Sequence, residues 1–405
     1  MKSDKDMGLL CSYLFLLFHI FIEVESMIRK ILLCMICALC LIIPVKAEEL
    51  NLTPNAGASI LIEANTREIL YKNNEKEKMY PASTTKIMTM ILMFEAIENG
   101  SLKWDDVLTC SAYAASMGGS QVYLEEGERM SVEDLFKSIA IASANDACVM
   151  VGERIAGSCD HFVDMMNEKA NKLNLVNTHF MNPTGLHDDN HYTCAYDLAI
   201  MGAYLIEIGG DKLFSVTSLY DSYIREDSAQ KFWLVNTNKL LKSYEGNDGL
   251  KTGYTSEAGY CIVSTAKRDG LRLIGVVLKE EQPKVRNEEV SQLLDYGFSL
   301  YESKKLYSKG DIVDKVKIEN SREEEMNVVV REDISYVQNR SSDVDIEYNL
   351  EYGTLIPPLS KEDVIGHLAI YREGENIGSY PLYLENEVHA LSFGEKFYNY
   401  FQILT

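Results

Sequence analysis

Between Ile87 and Ile97 the chain reads Ile-Met-Thr-Met-Ile-Leu-Met-Phe-Glu-Ala-Ile, apolar around nearly the whole circumference of a helix. A helix without a polar face has to be enclosed at the centre of a domain. Pro81 stands where a first helical turn tolerates proline, and Gly100 closes the far end. Its surroundings must supply the enclosure. The stretch ending at Tyr71 reads as a β-hairpin, two apolar strands about a turn at Asn65-Thr66. Residues 131–156 carry Val132, Leu135, Ile139, Ile141, Val149, Val151 and Ile155 at helical spacing, with a break near Ser143. Asp197 to Ile208 reads as another helix. Ala258–Ala266 and Leu271–Lys279 are β-rich runs joined by an Asp-Gly hairpin turn at 267–270, and residues 286–303 return to helical spacing. Strands first, helices in the middle and strands plus a helix last predict an α/β (α+β) sandwich over residues 48–304.

From Lys305 the helical period is lost. Short alternating runs such as 327–330 and 367–371 predict an all-β module over 305–388. Residues 389–405 form an amphipathic tail with Leu391, Phe393, Phe397, Tyr398, Tyr400, Phe401, Ile403 and Leu404. It is too short to span a bilayer; it suits either lying on one or docking on its own domain. At the other end, Leu9–Ile22 and Ile31–Ile43 are both apolar. Arg29 and Lys30, the second apolar run and Val45-Lys46-Ala47 read as a secretory signal over 1–47, cleaved after Ala47, with Met27 as the start; a tandem anchor is the alternative. Either way the body is expected outside the cytoplasm, at the outer face of the cytoplasmic membrane if the tail is an anchor.

The chain carries 39 basic against 61 acidic residues, a formal charge of −22. That excess argues against nucleic acid as a partner and against a polybasic membrane surface. Beyond the signal region, Cys110, Cys148, Cys159, Cys194 and Cys261 are odd in number and lack Cys-x-x-Cys spacing. They read as buried thiols, not a disulfide or metal framework.

Three short polar motifs, one of four residues and two triplets, interrupt this apolar text. Ser83-Thr84-Thr85-Lys86 places a hydroxyl and an amine on one side of the first helical turn. A serine hydroxyl becomes a nucleophile when a base takes its proton, and a lysine can be that base if its surroundings leave it neutral. Ser143-Ala144-Asn145 lies between Ile141 and Ala147, as either a satisfied buried network or a catalytic one. Lys251-Thr252-Gly253 offers a charge and a hydroxyl to an anion, with a glycine that permits close approach to the backbone. His187 and His191, in the loop after Asn182-Pro183-Thr184-Gly185, have metal-like spacing but read as loop residues. No metal or cofactor is expected.

In their order, these motifs resemble the signature of penicillin-binding proteins and class A β-lactamases. Pro81–Lys86, Ala142–Ala147, Asn182–Leu186 and Asp248–Thr255, with a β-rich second domain and an amphipathic tail, are similar to the low-molecular-mass penicillin-binding proteins. Those are the serine D-alanyl-D-alanine carboxypeptidases, and the resemblance covers most of residues 48–390. It implies that Ser83 attacks the carbonyl between the terminal D-alanines of a peptidoglycan pentapeptide stem, and that Lys86 is the general base. It implies that Ser143 relays a proton to the leaving amine and Asn145 holds the substrate amide and Lys86. Lys251 and Thr252 would bind the terminal carboxylate, with Lys251 adding positive potential that keeps Lys86 neutral. The N–H groups of Ser83 and Tyr254 would form the oxyanion hole, Arg286 would face substrate or lie on the helix surface, and β-lactams would occupy the serine.

Two other readings compete. A β-lactamase needs an added carboxylate, usually in a Glu-x-x-Leu-Asn loop, and that pattern is missing between Asn145 and Lys251. A non-catalytic envelope protein that binds peptidoglycan stems would have no use for intact Ser83, Lys86, Ser143 and Lys251 together.

Overall fold

The computed structural model describes residues 3–40, 50–226, 228–323, 325–342 and 345–397. The chain divides into two compact units, 1–51 and 52–405. In the first, α1 (Ser3–Cys40) is one continuous helix where two separate apolar runs were expected. Arg29 and Glu25 form an i,i+4 ion pair at 2.7 Å on it, so the polar stretch between the runs extends the helix. No helix among the described residues is long and apolar enough to cross a membrane. The expected cleavage site at 45–47 lies outside the described residues.

The second unit opens with the expected hairpin, β1 (Ala58–Glu63) and β2 (Ile69–Asn73). A 3-10 turn over Ala82–Thr85 leads into α2 (Lys86–Glu98). Every residue of α2 from Lys86 to Phe94 is buried, as its all-round apolar text requires. It is enclosed by α4 (Val132–Ala140), α5 (Asn145–Ala156), α6 (Cys159–Lys172) and α7 (Ala195–Thr217). Ahead of α4 come three short elements, β3 (Val107–Thr109), α3 (Ala112–Ala115) and β4 (Arg129–Ser131). The expected 131–156 helix is thus α4 plus α5, and Ser143 at the break has φ 64. The expected 197–208 helix is the first part of α7, which kinks at Gly210 (φ 45). Helix α6 carries a weaker apolar stripe and was not anticipated.

After the hairpin β5 (Asp221–Ile224) and β6 (Phe232–Val235) and the short α8 (Leu240–Ser243), three long strands follow: β7 (Asn247–Thr255), β8 (Gly259–Arg268) and β9 (Leu271–Glu280). With the N-terminal hairpin they make an antiparallel sheet in the order β2-β1-β9-β8-β7. The β8–β9 turn has Asp269 at φ 47 and Gly270 at φ 84, the left-handed pair a two-residue hairpin requires. Alternate strand residues serve two cores. Ile60, Ile62, Val263 and Val276 face the helical layer, whereas Leu61, Ile262, Leu273 and Val277 face α9 (Pro283–Leu300). Burial on both faces explains why these strands read as continuous apolar runs. Helix α9 starts at Pro283, in the favoured first-turn position, and ends at Leu300, three residues short of the expected limit. Tyr301 instead opens a strand.

That strand, β10 (Tyr301–Tyr307), pairs with β13 (Ile334–Asn339). The rest of the C-terminal all-β domain is a five-stranded sheet, β11-β12-β16-β15-β14. Its strands are β11 (Ile312–Lys317), β12 (Glu325–Val329), β14 (Ile346–Tyr352), β15 (Gly366–Arg372) and β16 (Glu375–Leu384), around a core including Val328, Ile334, Leu368, Leu382 and Leu384. Most of the aromatic tail lies outside the described residues; Phe393 and Phe397, within them, are exposed. Cys110, Cys148, Cys194 and Cys261 are buried free thiols, and Cys159 is half-buried and free.

Candidate active site

The three motifs meet where the start of α2, the α4–α5 break and strand β7 come together. Ser83 sits in the 3-10 turn, in which side chains three apart eclipse. Its Oγ accordingly lies 2.9 Å from the Lys86 Nζ. Ala82, just before it, is held at φ 47, and Ser143 across the site at φ 64; strained non-glycine positions of this kind cluster at functional sites.

Lys86 is fully buried and has three oxygen neighbours: Ser83 Oγ, Asn145 Oδ1 at 2.7 Å and the Thr184 carbonyl at 2.6 Å. The last two can act solely as acceptors, since the Asn145 amide nitrogen donates to the Gly118 carbonyl at 2.7 Å. A neutral amine has two N–H bonds and one lone pair. Protonated, Lys86 donates to all three oxygens, Ser83 Oγ among them; once it is neutral, two acceptors use its hydrogens and the lone pair is left for the Ser83 O–H. Burial pushes Lys86 down to about 8, against an opposing pull from Asp146 and from any charge on Cys148. The Cys148 thiol is itself pushed up to about 12 by burial, so it remains a packing thiol. Asp146 is fully buried, its carboxylate accepting the N–H groups of Val122, Leu124 and Ala147 at 2.9–3.3 Å.

Lys251 is also buried; its Nζ donates to its own neighbour's carbonyl, Thr252 O, at 2.9 Å. Burial first, and then the charge of Lys86, hold it well below the usual lysine range. Burial is the leading cause of the lowering for both amines, and the repulsion between the two acts on each of them. Thr252 Oγ1 donates to Thr237 Oγ1 at 2.7 Å. A Cβ on Gly253 would come within 2.8 Å of the Ser83 nitrogen, so this glycine lets strand β7 close on the serine turn itself, before any ligand is considered.

A cleft of about 750 Å³ opens over these groups, lined by Ser83, Ser143, Thr237, Thr252, Tyr254 and Arg286 among others. The Ser143 Oγ is buried there and makes no hydrogen bond. Tyr254, whose side chain had no expected role, stacks on its cross-strand partner Tyr260 at 4.3 Å. Arg286 is buried, not a surface helix residue; its guanidinium donates to Asn287 Oδ1 at 2.8 and 3.2 Å and to the Cys261 carbonyl at 3.5 Å.

The loop at 182–185 contributes more than the motifs suggested. Asn182 Oδ1 accepts from Thr184 N, Thr184 Oγ1 and Gly185 N, which turns the Thr184 carbonyl toward Lys86. His191 Nδ1 accepts from Met181 N–H, so its Nε2 carries the proton and donates to Thr85 Oγ1 at 2.8 Å. Burial lowers this histidine to about 4, consistent with that neutral tautomer. His187 instead packs edge-on against Tyr80, so the two histidines do not converge. Thr184, Thr237, Tyr260 and His191 have no triplet to announce them; the Asn-Pro-Thr-Gly text was the available signal for the first.

With this geometry in view, the sequence profile of the family described as D-alanyl-D-alanine carboxypeptidase matches residues 45–282, and that of the penicillin-binding protein 5 C-terminal domain matches 301–390. The chain is 42% identical over 345 residues to the D-alanyl-D-alanine carboxypeptidase DacF of Bacillus subtilis, covering 85% of this chain and 88% of that one. Among solved structures, penicillin-binding protein 5 from Haemophilus influenzae superposes with a TM-score of 0.66 at 30% identity, over 83% of this chain and 98% of that one. Penicillin-binding protein D2 from Listeria monocytogenes in its ampicillin-bound form gives 0.56 at 33% identity, over 62% and 100%. The protein belongs to the D-alanyl-D-alanine carboxypeptidase family, the low-molecular-mass penicillin-binding proteins.

Gly185 tests how far the site depends on its supporting loop. It has φ 84, and a Cβ there would stand 1.8 Å from the Ala82 carbonyl oxygen, which is backbone and cannot swing aside. Gly185→Ala is expected to lower unfolding stability by at least about 2 kcal/mol through strain and clash, read from urea titration. A wild-type midpoint would show that the loop and the serine turn are not rigidly packed.

Proposed function

We propose that the protein is a serine D-alanyl-D-alanine carboxypeptidase that removes the terminal D-alanine from peptidoglycan pentapeptide stems through an acyl-ester on Ser83. The observation that carries this reading is the placement of Lys86, buried, 2.9 Å from Ser83 Oγ and held by two carbonyl acceptors, so that on losing its proton its lone pair is left for the Ser83 hydroxyl. Lys86 takes the Ser83 proton as Oγ attacks the carbonyl carbon. Negative charge then develops on the carbonyl oxygen, where the N–H groups of Ser83 and Tyr254 stabilise it by on the order of 3 kcal/mol each. Ser143, whose hydroxyl has no other partner, passes the proton to the departing amine of D-alanine. Asn145 fixes Lys86 and offers its amide to the substrate. The substrate's carboxylate meets Thr252, Lys251 and Arg286, and its charge favours the protonated form of Lys251 as it binds. Water then cleaves the ester. A β-lactam takes the same path, as the ampicillin complex of the Listeria relative makes chemically reasonable.

Ser83→Ala is expected to abolish both penicillin labelling, read as an intact-mass adduct mapped by peptide, and D-alanine release. Labelling at the wild-type rate would remove Ser83 from the mechanism. The second-order acylation rate constant of the free enzyme should rise with pH and level off above about 8, falling about tenfold per unit below it, since only neutral Lys86 can accept the proton. A flat profile between pH 6 and 9 would exclude Lys86 as the base.

The export reading rests on Arg29, Lys30, the apolar run after them and the small residues at 45–47. We place the protein outside the cytoplasm, held on the membrane surface by its aromatic tail. Removal of residues 391–405 should move the mature protein from the membrane fraction to the soluble one. Continued membrane association of that shortened form would reject the tail as the anchor.

A further inference from the structure

The chain has two tryptophans, and they are treated differently. Trp104 packs edge-on against Phe94 and Phe136 at 5.4 and 5.3 Å. Trp233, on β6, is 55% exposed, and its cross-strand partner Tyr223 on β5 is 40% exposed. The other face of the same hairpin is well used: Ile224 and Leu234 are fully buried, and Phe232 packs on Tyr123 at 6.0 Å. So the hairpin presents two exposed aromatic side chains on one face, Trp233 and its cross-strand partner Tyr223, the latter with Lys231 over one side of its ring. Two aromatic side chains exposed together on an otherwise well-packed hairpin point to a partner that covers them.

Position names the partner. Residues two apart on a strand share a face about 7 Å apart, so Val235 lies on the face of Trp233, and Val235 lines the cleft over Ser83. The next residues fasten this wall: Asn236 donates to the Leu219 carbonyl at 2.9 Å, and Thr237 accepts from Thr252 at 2.7 Å. The aromatic pair therefore continues one wall of the cleft outward on a well-tethered support. On the carboxypeptidase reading, the cleft holds the far end of a stem. The four residues before the scissile bond extend at most roughly 14 Å, after which the stem joins its sugar.

We propose that the Tyr223–Trp233 face binds the glycan strand of peptidoglycan, a β-linked chain of N-acetylated hexosamines, and so orients polymeric substrate toward Ser83. Such sugars carry their polar groups equatorially and turn axial C–H bonds, weakly positive, toward the negative face of an aromatic ring. Lys231 Nζ stands 4.1 Å over one side of the Tyr223 ring and 3.9 Å from Glu226 Oε2, so the two charges form a polar rim that sugar hydroxyls would meet beside the open ring faces. Asp221 and Glu226, both exposed beside the rings, disfavour an anionic membrane surface as the occupant.

This inference rests on the carboxypeptidase reading but has its own readout. The full protein, with Trp233→Ala, Tyr223→Ala and the double change, would be sedimented with peptidoglycan whose stems have been removed, and separately with phosphatidylcholine vesicles. D-Alanine release would be followed on a soluble pentapeptide and on uncrosslinked polymer. The double variant should bind stripped glycan about tenfold more weakly and show about a tenfold higher KM on polymer. Its kcat, its kinetics on soluble pentapeptide and its penicillin labelling should be unchanged. Unchanged glycan binding, equal losses on both substrates, or a loss confined to vesicles would each overturn the proposal. Labelling of wild-type Ser83 without D-alanine release from either substrate would reject the carboxypeptidase reading instead, while the glycan sedimentation result would stand on its own.

Discussion

A buried amine with three oxygen neighbours organises this protein. Taking Lys86 out of water is costly for its charged form, and three oxygens hold the buried amine in place in either protonation state. Each partner comes from a different part of the chain: Ser83 from the turn before α2, Asn145 from the start of α5 and Thr184 from the loop after α6. The amine is thus the point at which three separately folded segments must agree. Loss of any one would leave a buried polar group unpaired, at a cost of about 1–3 kcal/mol.

That requirement explains features that have no chemistry of their own. Gly185 and Gly253 sit where backbone must touch backbone around the serine turn, one under the Ala82 carbonyl and the other against the Ser83 nitrogen. His191 and Thr85 tie the loop to the turn from below. Asp146 performs the same service on the far side by gripping the backbone of Val122 and Leu124, the segment that follows Gly118 and its bond to Asn145. The all-round burial of α2 then has a functional meaning. A helix exposed on one face could carry the same serine and lysine, but water would reach the amine and restore its ordinary basicity.

Much of this was readable in advance, for reasons that differ by element. Helix α2 and the two-sided strands β8 and β9 were legible because their burial pattern is written continuously along the chain. The motifs at 83–86, 143–145 and 251–253 stood out because polar residues interrupt that apolar text. Thr184 was legible only through the Asn-Pro-Thr-Gly text around it, because it acts through its carbonyl, which every residue possesses. Thr237 and Tyr260 were hidden because their neighbours, Thr252 and Tyr254, are brought to them by strand pairing and not by sequence proximity. The end of α9 was misjudged since Tyr301 and Ser303 fit a helical spacing as well as the strand pairing with β13 that prevails.

The overall charge of −22 looks ill suited to a substrate that ends in a carboxylate. The conflict is one of distance. Exposed charges are screened within about 8 Å at physiological salt, so the acidic body contributes little field inside the cleft. Arg286, Lys239 and Lys284 line it, and Lys251 is buried directly behind its lining residue Thr252. In that partly dry setting, a charge a few ångströms away outweighs many beyond the screening length. The same burial that lowers Lys86 lowers Lys251 as well, so an arriving carboxylate is what favours the Lys251 charge, while Arg286 keeps its own.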